Sequence, residues 1–136
     1  MKLLSMVNSP TDLKKLSEES LIEYSKEARE FIVSTVNNCG GHLASNLGAV
    51  ESSVALFYVF DFPQDHIIFD VGHQCYAHKI LSDRLSEFDS LRTKDGISGF
   101  LSASESPFDL FTSGHAGTSV AQAIGLSEAR DKLNQD

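Results

Sequence analysis

At 136 residues the chain has the length of one domain, enough to bury about two thirds of its unfolded surface. With 41% apolar and 22% charged residues it is globular in composition, which excludes a disordered or fibrous chain. Its net charge of -8 comes from 19 acids against 11 bases with no long Lys/Arg run, so no nucleic acid partner is expected.

The opening MKLLSMVNSP is too short and too interrupted for a signal segment, and no stretch approaches the ~20 apolar residues of a membrane helix. A cytoplasmic location and no membrane partner follow as expectations. SPTDLKKLSEES reads as two helix starts, with Ser9 and then Ser17 as caps and Pro10 at the first helical position. From Glu18 to about Asn38, Leu21, Ala28, Ile32 and Val36 recur near helical spacing, and Cys39, Gly40 and Gly41 end the helix.

After the loop GGHLAS, the run LGAVESSVALFYVFD is apolar on most faces and reads as a helix buried on nearly all sides, capped by Ser45 or Asn46. HIIFDVG has the β-branched and aromatic character of a central parallel strand, and GHQCYAHKILSDRLSEF reads as helix. TKDGISGFLSASESPFD is a surface excursion or an irregular loop, DLFTS a second candidate strand, and GHAGTSVAQAIGLSEARDKL a glycine-led helix. The order points to an α/β fold, helix-rich, with two parallel strands of an incomplete doubly wound sheet.

Three histidines share one setting, Gly41-His42, Gly72-His73 and Gly114-His115. The last two sit where open α/β sheets bind ligands, and glycine there lets the backbone approach an anion. A packed or capping histidine is the plain reading of each one singly; the recurrence raises the weight of a site. His66 and His78 look ordinary. His73 and His78 lie five apart without an intervening acid, so no metal ligand set is expected. Cys39 and Cys75 form no CxxC pair and read as free thiols, Cys75 small and buried; Lys79 and Arg84 read as a solvated helix face.

The segments NSPTDLKKLS, GGHLASNLGAVE, IIFDVGHQCYAHKIL, LRTKDGISGF, SES and SGHAGTS occur in the order and with the spacing of a known family. The sequence resembles the N-terminal part of the 1-deoxy-D-xylulose-5-phosphate synthase family, transketolase-like transferases that use thiamine diphosphate. DVGHQ followed by Tyr and HKIL separates this family from ordinary transketolases.

The resemblance implies that residues 1–136 are the N-terminal portion of a thiamine diphosphate-binding domain, a partial fold of that type. It implies that His42 is the catalytic histidine, assisting proton transfer, and that His73 contacts the cofactor diphosphate. Gly114, His115 and Ala116 would lie against the cofactor, and Ser45 would line the substrate pocket. The family condenses pyruvate with glyceraldehyde 3-phosphate, with loss of CO2, for isoprenoid precursor, thiamine and pyridoxal biosynthesis.

Two departures bear on the site: GHAG stands where many relatives have GHSS, and LSA stands where a proline and a basic residue usually precede SES. The GDG segment that holds Mg²⁺ and the later domains are expected outside this chain. The expected whole is therefore a homodimer or an assembly with a complementing C-terminal polypeptide, the chain being inactive alone. The alternative is a noncatalytic fragment that docks on a partner.

Overall fold

The computed structural model describes residues 2–134. Ser9 accepts the Asp12 N–H and Pro10 opens α1 (Pro10–Leu13), while Ser17 accepts the Ser20 N–H and opens α2 (Glu18–Cys39), both as the sequence predicts. Tyr24, Ala28, Ile32 and Val36 recur every fourth residue and are buried, forming the stripe by which α2 joins the core. Gly40, at φ 75°, ends the helix and donates its N–H to Val36 O at 2.8 Å.

LASNL folds differently from expectation. It forms its own short helix α3 (Leu43–Leu47), and α4 (Val50–Val59) begins at Ala49 without a side-chain cap. Asn46 is thus not a cap; it lies inside α3 and is fully buried. α4 buries Val50, Ser53, Val54 and Phe57 toward α2, but Val59 is 67% exposed and Phe60 44%. The prediction of a helix buried on nearly all sides is corrected to one buried face, because α2 and its neighbours cover only that side.

The predicted helix over 72–88 is broken. α5 (Tyr76–Lys79) continues into a wider turn that kinks at Ser82 and at Asp83, where φ is 65°, before a tight 3-10 segment over Leu85–Ser90. The segment TKDGISGFLSASESPFD is irregular, as expected, yet it is no surface excursion: Ile97, Leu101, Ser106 and Asp109 are buried.

Neither predicted parallel strand is formed. Among the described residues there is no strand, and no main-chain hydrogen bond joins residues 66–69 to another segment. A parallel strand exists only through its neighbours' N–H and C=O groups, so an apolar run without a partner remains an unpaired extended segment. The chain is helix-rich, as expected, while the two parallel strands of the α/β expectation are not formed among the described residues. α6 (Ser119–Leu133) follows the glycine-led turn as predicted but buries no side chain, leaving Val120 and Ile124 exposed.

Candidate functional site

The site begins where α2 stops. Tyr76 Oη stands 2.6 Å from where a Cβ on Gly41 would lie, so only glycine lets the loop pass the phenol. The His42 N–H donates to the same hydroxyl at 3.3 Å. Opposite, Gly72 has φ 92°, and a Cβ there would meet Ser113 Oγ at 2.6 Å. Val71 is held at φ 61°, a strained conformation for a β-branched residue of the kind that clusters at functional sites.

These two turns bring His42 and His73 together. Their ring centroids are 4.2 Å apart in an edge-on contact, and Phe100 packs against both, at 5.4 and 5.3 Å. His42 Nδ1 is buried without a hydrogen-bond partner. Burial, followed by the neighbouring His73 and Arg92, holds its pKa below the ordinary histidine value. A neutral imidazole with an open ring nitrogen is suited to accept a proton near neutral pH.

Ser45 is exposed and reaches the His73 carbonyl at 3.4 Å, so it borders the pair. The third glycine-histidine step is nearby through the backbone but not joined to the cluster. Asp70 accepts the Gly117 N–H and the Ser119 hydroxyl, each at 2.8 Å, which ties the 114–119 turn to the DVG turn. Those bonds lower the Asp70 pKa. His115 and Ala116 are exposed, and His115 makes no ring contact with His42 or His73.

Sequence reading missed the partners that hold this pair. Phe100 comes from the irregular segment, where no periodicity marks it. Asn46 donates to the carbonyls of His42 and His73 and accepts the Tyr76 N–H. Asn46, read as an alternative to Ser45 for the helix cap, is the one available signal.

The largest correction concerns Lys79 and Arg84, which do not lie on a solvated face. Lys79 is 0% exposed and donates to Glu105 at 2.6 Å; Arg84, 3% exposed, makes two 2.7 Å bonds to Asp109 and one of 3.3 Å to Glu105. His78 Nε2 donates to Asp109 at 3.0 Å. Burial alone raises the Asp109 carboxyl, but bonds from His78, Arg84 and the Ser102 N–H bring it well below the usual carboxylate range. The His78–Lys79 helix is thereby fastened to the segment that carries Phe100, since Glu105 also accepts the Ser98 N–H at 2.6 Å.

Residues 4–136 match the family profile described as 1-deoxy-D-xylulose-5-phosphate synthase. The chain belongs to the 1-deoxy-D-xylulose-5-phosphate synthase family. It is 56% identical over 129 residues to the synthase of Dictyoglomus turgidum, covering 95% of this chain and 21% of the relative. The Thermus thermophilus synthase is 53% identical over 134 residues, covering 98% and 22%, and that of Desulforudis audaxviator 50% over 136 residues, covering 100% and 22%. The chain thus spans about a fifth of the length of these curated relatives, matching the N-terminal part of the family.

No helix among the described residues is long and apolar enough to cross a membrane. Also among the described residues, no group of three or more His, Cys, Asp or Glu is placed to hold a metal ion. Both cysteines are free thiols; Cys75 is fully buried, and burial pushes its thiol up to about 12.

Proposed function

We propose that this chain forms the histidine-bearing wall of the thiamine diphosphate site in a 1-deoxy-D-xylulose-5-phosphate synthase. The enzyme would join two carbons of pyruvate to glyceraldehyde 3-phosphate with loss of CO2, supplying isoprenoid, thiamine and pyridoxal precursors from the cytoplasm. The observation that carries this reading is the His42–His73–Phe100 cluster, with its orphaned His42 Nδ1.

The residues present suit the cofactor. The cluster offers an imidazole for the diphosphate and an unpaired ring nitrogen, and the space around the Cα of Gly114 and Gly117 is open where a Cβ would project. When bound, thiamine diphosphate supplies the electron sink for breaking and making the carbon–carbon bonds. His73 would hold the diphosphate, and the main chain of Gly114, His115 and Ala116 would border the cofactor. Ser45 lines the substrate pocket.

His42 is the general acid–base group: its lowered pKa favours the neutral imidazole, which can take a proton from a substrate hydroxyl and return it. Phe100 shields both imidazoles from water. Mg²⁺ would be held by residues outside this chain, and the working enzyme would be a homodimer or an assembly with a complementing C-terminal polypeptide.

The test is a chimera in which this chain replaces the corresponding N-terminal fifth of the Dictyoglomus turgidum enzyme. His42→Ala is expected to lower its turnover by about 10²- to 10⁴-fold, with cofactor affinity little changed. Unchanged turnover at saturating cofactor would reverse the assignment. The pure chain, given both substrates, thiamine diphosphate and Mg²⁺, is expected to show no turnover.

A second reading, a noncatalytic module that docks on a full-length synthase, is favoured by α6, which buries no side chain and exposes Val120 at 67% and Ile124 at 60%. It predicts co-elution of the chain with an intact synthase, and a chimera that is inert although folded.

A further inference from the structure

We propose that Asn46 is the positioning residue of the His42–His73 pair, a single buried amide that ties the two loops by their carbonyls and so sets how the imidazoles meet. This deepens the reading above and rests on it only for its consequence in turnover.

Asn46 is 0% exposed. Its Nδ2 donates one hydrogen to His42 O at 2.5 Å and the other to His73 O at 2.7 Å, while Oδ1 accepts the Tyr76 N–H at 2.8 Å. Both donors are used, and the amide can sit only this way round. Flipped, Oδ1 would face two carbonyl oxygens and the NH2 would face an N–H.

Among the described residues Asn46 is the one side chain hydrogen-bonded to the main chain of both histidines. Ser45 reaches only His73, at 3.4 Å, and Tyr76 Oη only His42, at 3.3 Å. Two loops 27 residues or more apart in sequence therefore converge on one nitrogen. Without that donor, the His42 and His73 carbonyls would point at the same spot with no shared hydrogen between them, His73 O keeping only the 3.4 Å bond from Ser45. Moving the loops apart relieves this, and the edge-on ring contact at 4.2 Å is what such a movement destroys.

The test is NMR on the chain itself, with labelled histidine rings. The wild type is expected to show a cross-relaxation peak between the His42 and His73 rings, and a His42 titration midpoint below the ordinary histidine value. Asn46→Ala and Asn46→Leu are both expected to lose that peak and to move the His42 midpoint upward, while methyl signals of the buried Leu4 and Leu13 at the N-terminal end remain in place. Leucine restores volume without hydrogen bonds, so retention of the ring contact and the low midpoint by Asn46→Leu would overturn the proposal.

Should either variant fail to fold, the wild type still decides. The Asn46 Nδ2 hydrogens should exchange slowly and show through-bond couplings to the carbonyl carbons of His42 and His73; rapid exchange without couplings would sink the idea. No substrate or cofactor enters these measurements, so an inert chimera would refute the synthase reading and leave this result untouched.

Discussion

His73 and His78 are separated by four residues, yet they belong to regions built on opposite principles. Around His73 the partners are main-chain and aromatic: two glycine turns, one amide and the edge of Phe100 bring two imidazoles together and leave His42 Nδ1 unpaired. Around His78 the partners are charges, with Asp109 shared between the imidazole and Arg84, and Glu105 between Arg84 and Lys79. The first region packs its imidazoles against an aromatic ring, whereas the second ties its imidazole to the Asp109 carboxylate through Nε2; Nδ1 is unpaired in His78 as it is in His42. The two histidines thus differ in the ionic partner, not in having an unbonded ring nitrogen.

The sharpest way to break the contrast is at Arg84. Arg84→Met takes the cation from the buried Asp109 carboxylate, while Glu105 keeps Lys79, and an unfolding free energy lower by about 3–5 kcal/mol is expected in urea titrations. A loss under 1 kcal/mol would mean that the network is not closed as described. The Phe100 segment should loosen with it, since Glu105 and Asp109 anchor the Ser98 and Ser102 amides.

Acid should act on both regions in sequence. His42 and His78 have folded pKa values below their unfolded ones, in both cases chiefly from burial, so protons bind the unfolded chain first and stability falls as pH drops below about 6.5. Asp109, depressed in the folded state, stabilises fully above about pH 4 and adds a second loss below it. Urea midpoints measured from pH 8 to pH 3 should descend in these two stages; a flat profile from pH 8 to pH 5 would contradict the neutral buried histidines.

Thiol labelling probes the same wall with a smaller effect. Cys75, buried and raised to about 12, is expected to resist iodoacetamide in the native state, while the half-buried Cys39 reacts. Equal labelling would show that the His73 turn opens readily. The smallest effect is expected at the surface. Glu51→Gln, which removes the carboxylate charge facing Arg29 on α2, should cost no more than about 1 kcal/mol because that pair lies in solvent.

Much of the helical framework was legible because its causes are local. Ser9, Pro10 and Ser17 cap and start helices through neighbours within three residues, and the apolar stripe of α2 is written in its own spacing. The break after Lys79 was not legible, since the periodicity of HKILSDRLSEF continues through a kink whose Ser82 and Arg84 serve the charge network. The strands failed for the converse reason: HIIFDVG carries the composition of a strand, but a strand is a relation between segments.

The candidate site divides along the same line. From the sequence alone came the family, the three glycine-histidine steps and the expectation that glycine allows close approach. The tertiary structure decided that His42 meets His73, that His115 stands apart from them, and that Lys79 and Arg84 are buried. Glycine, capping serine and helical spacing act within a turn or two of chain. The Asn46 amide, the Phe100 ring and the Asp109 carboxylate act across some 25 to 60 residues, where only the folded chain brings donors to acceptors.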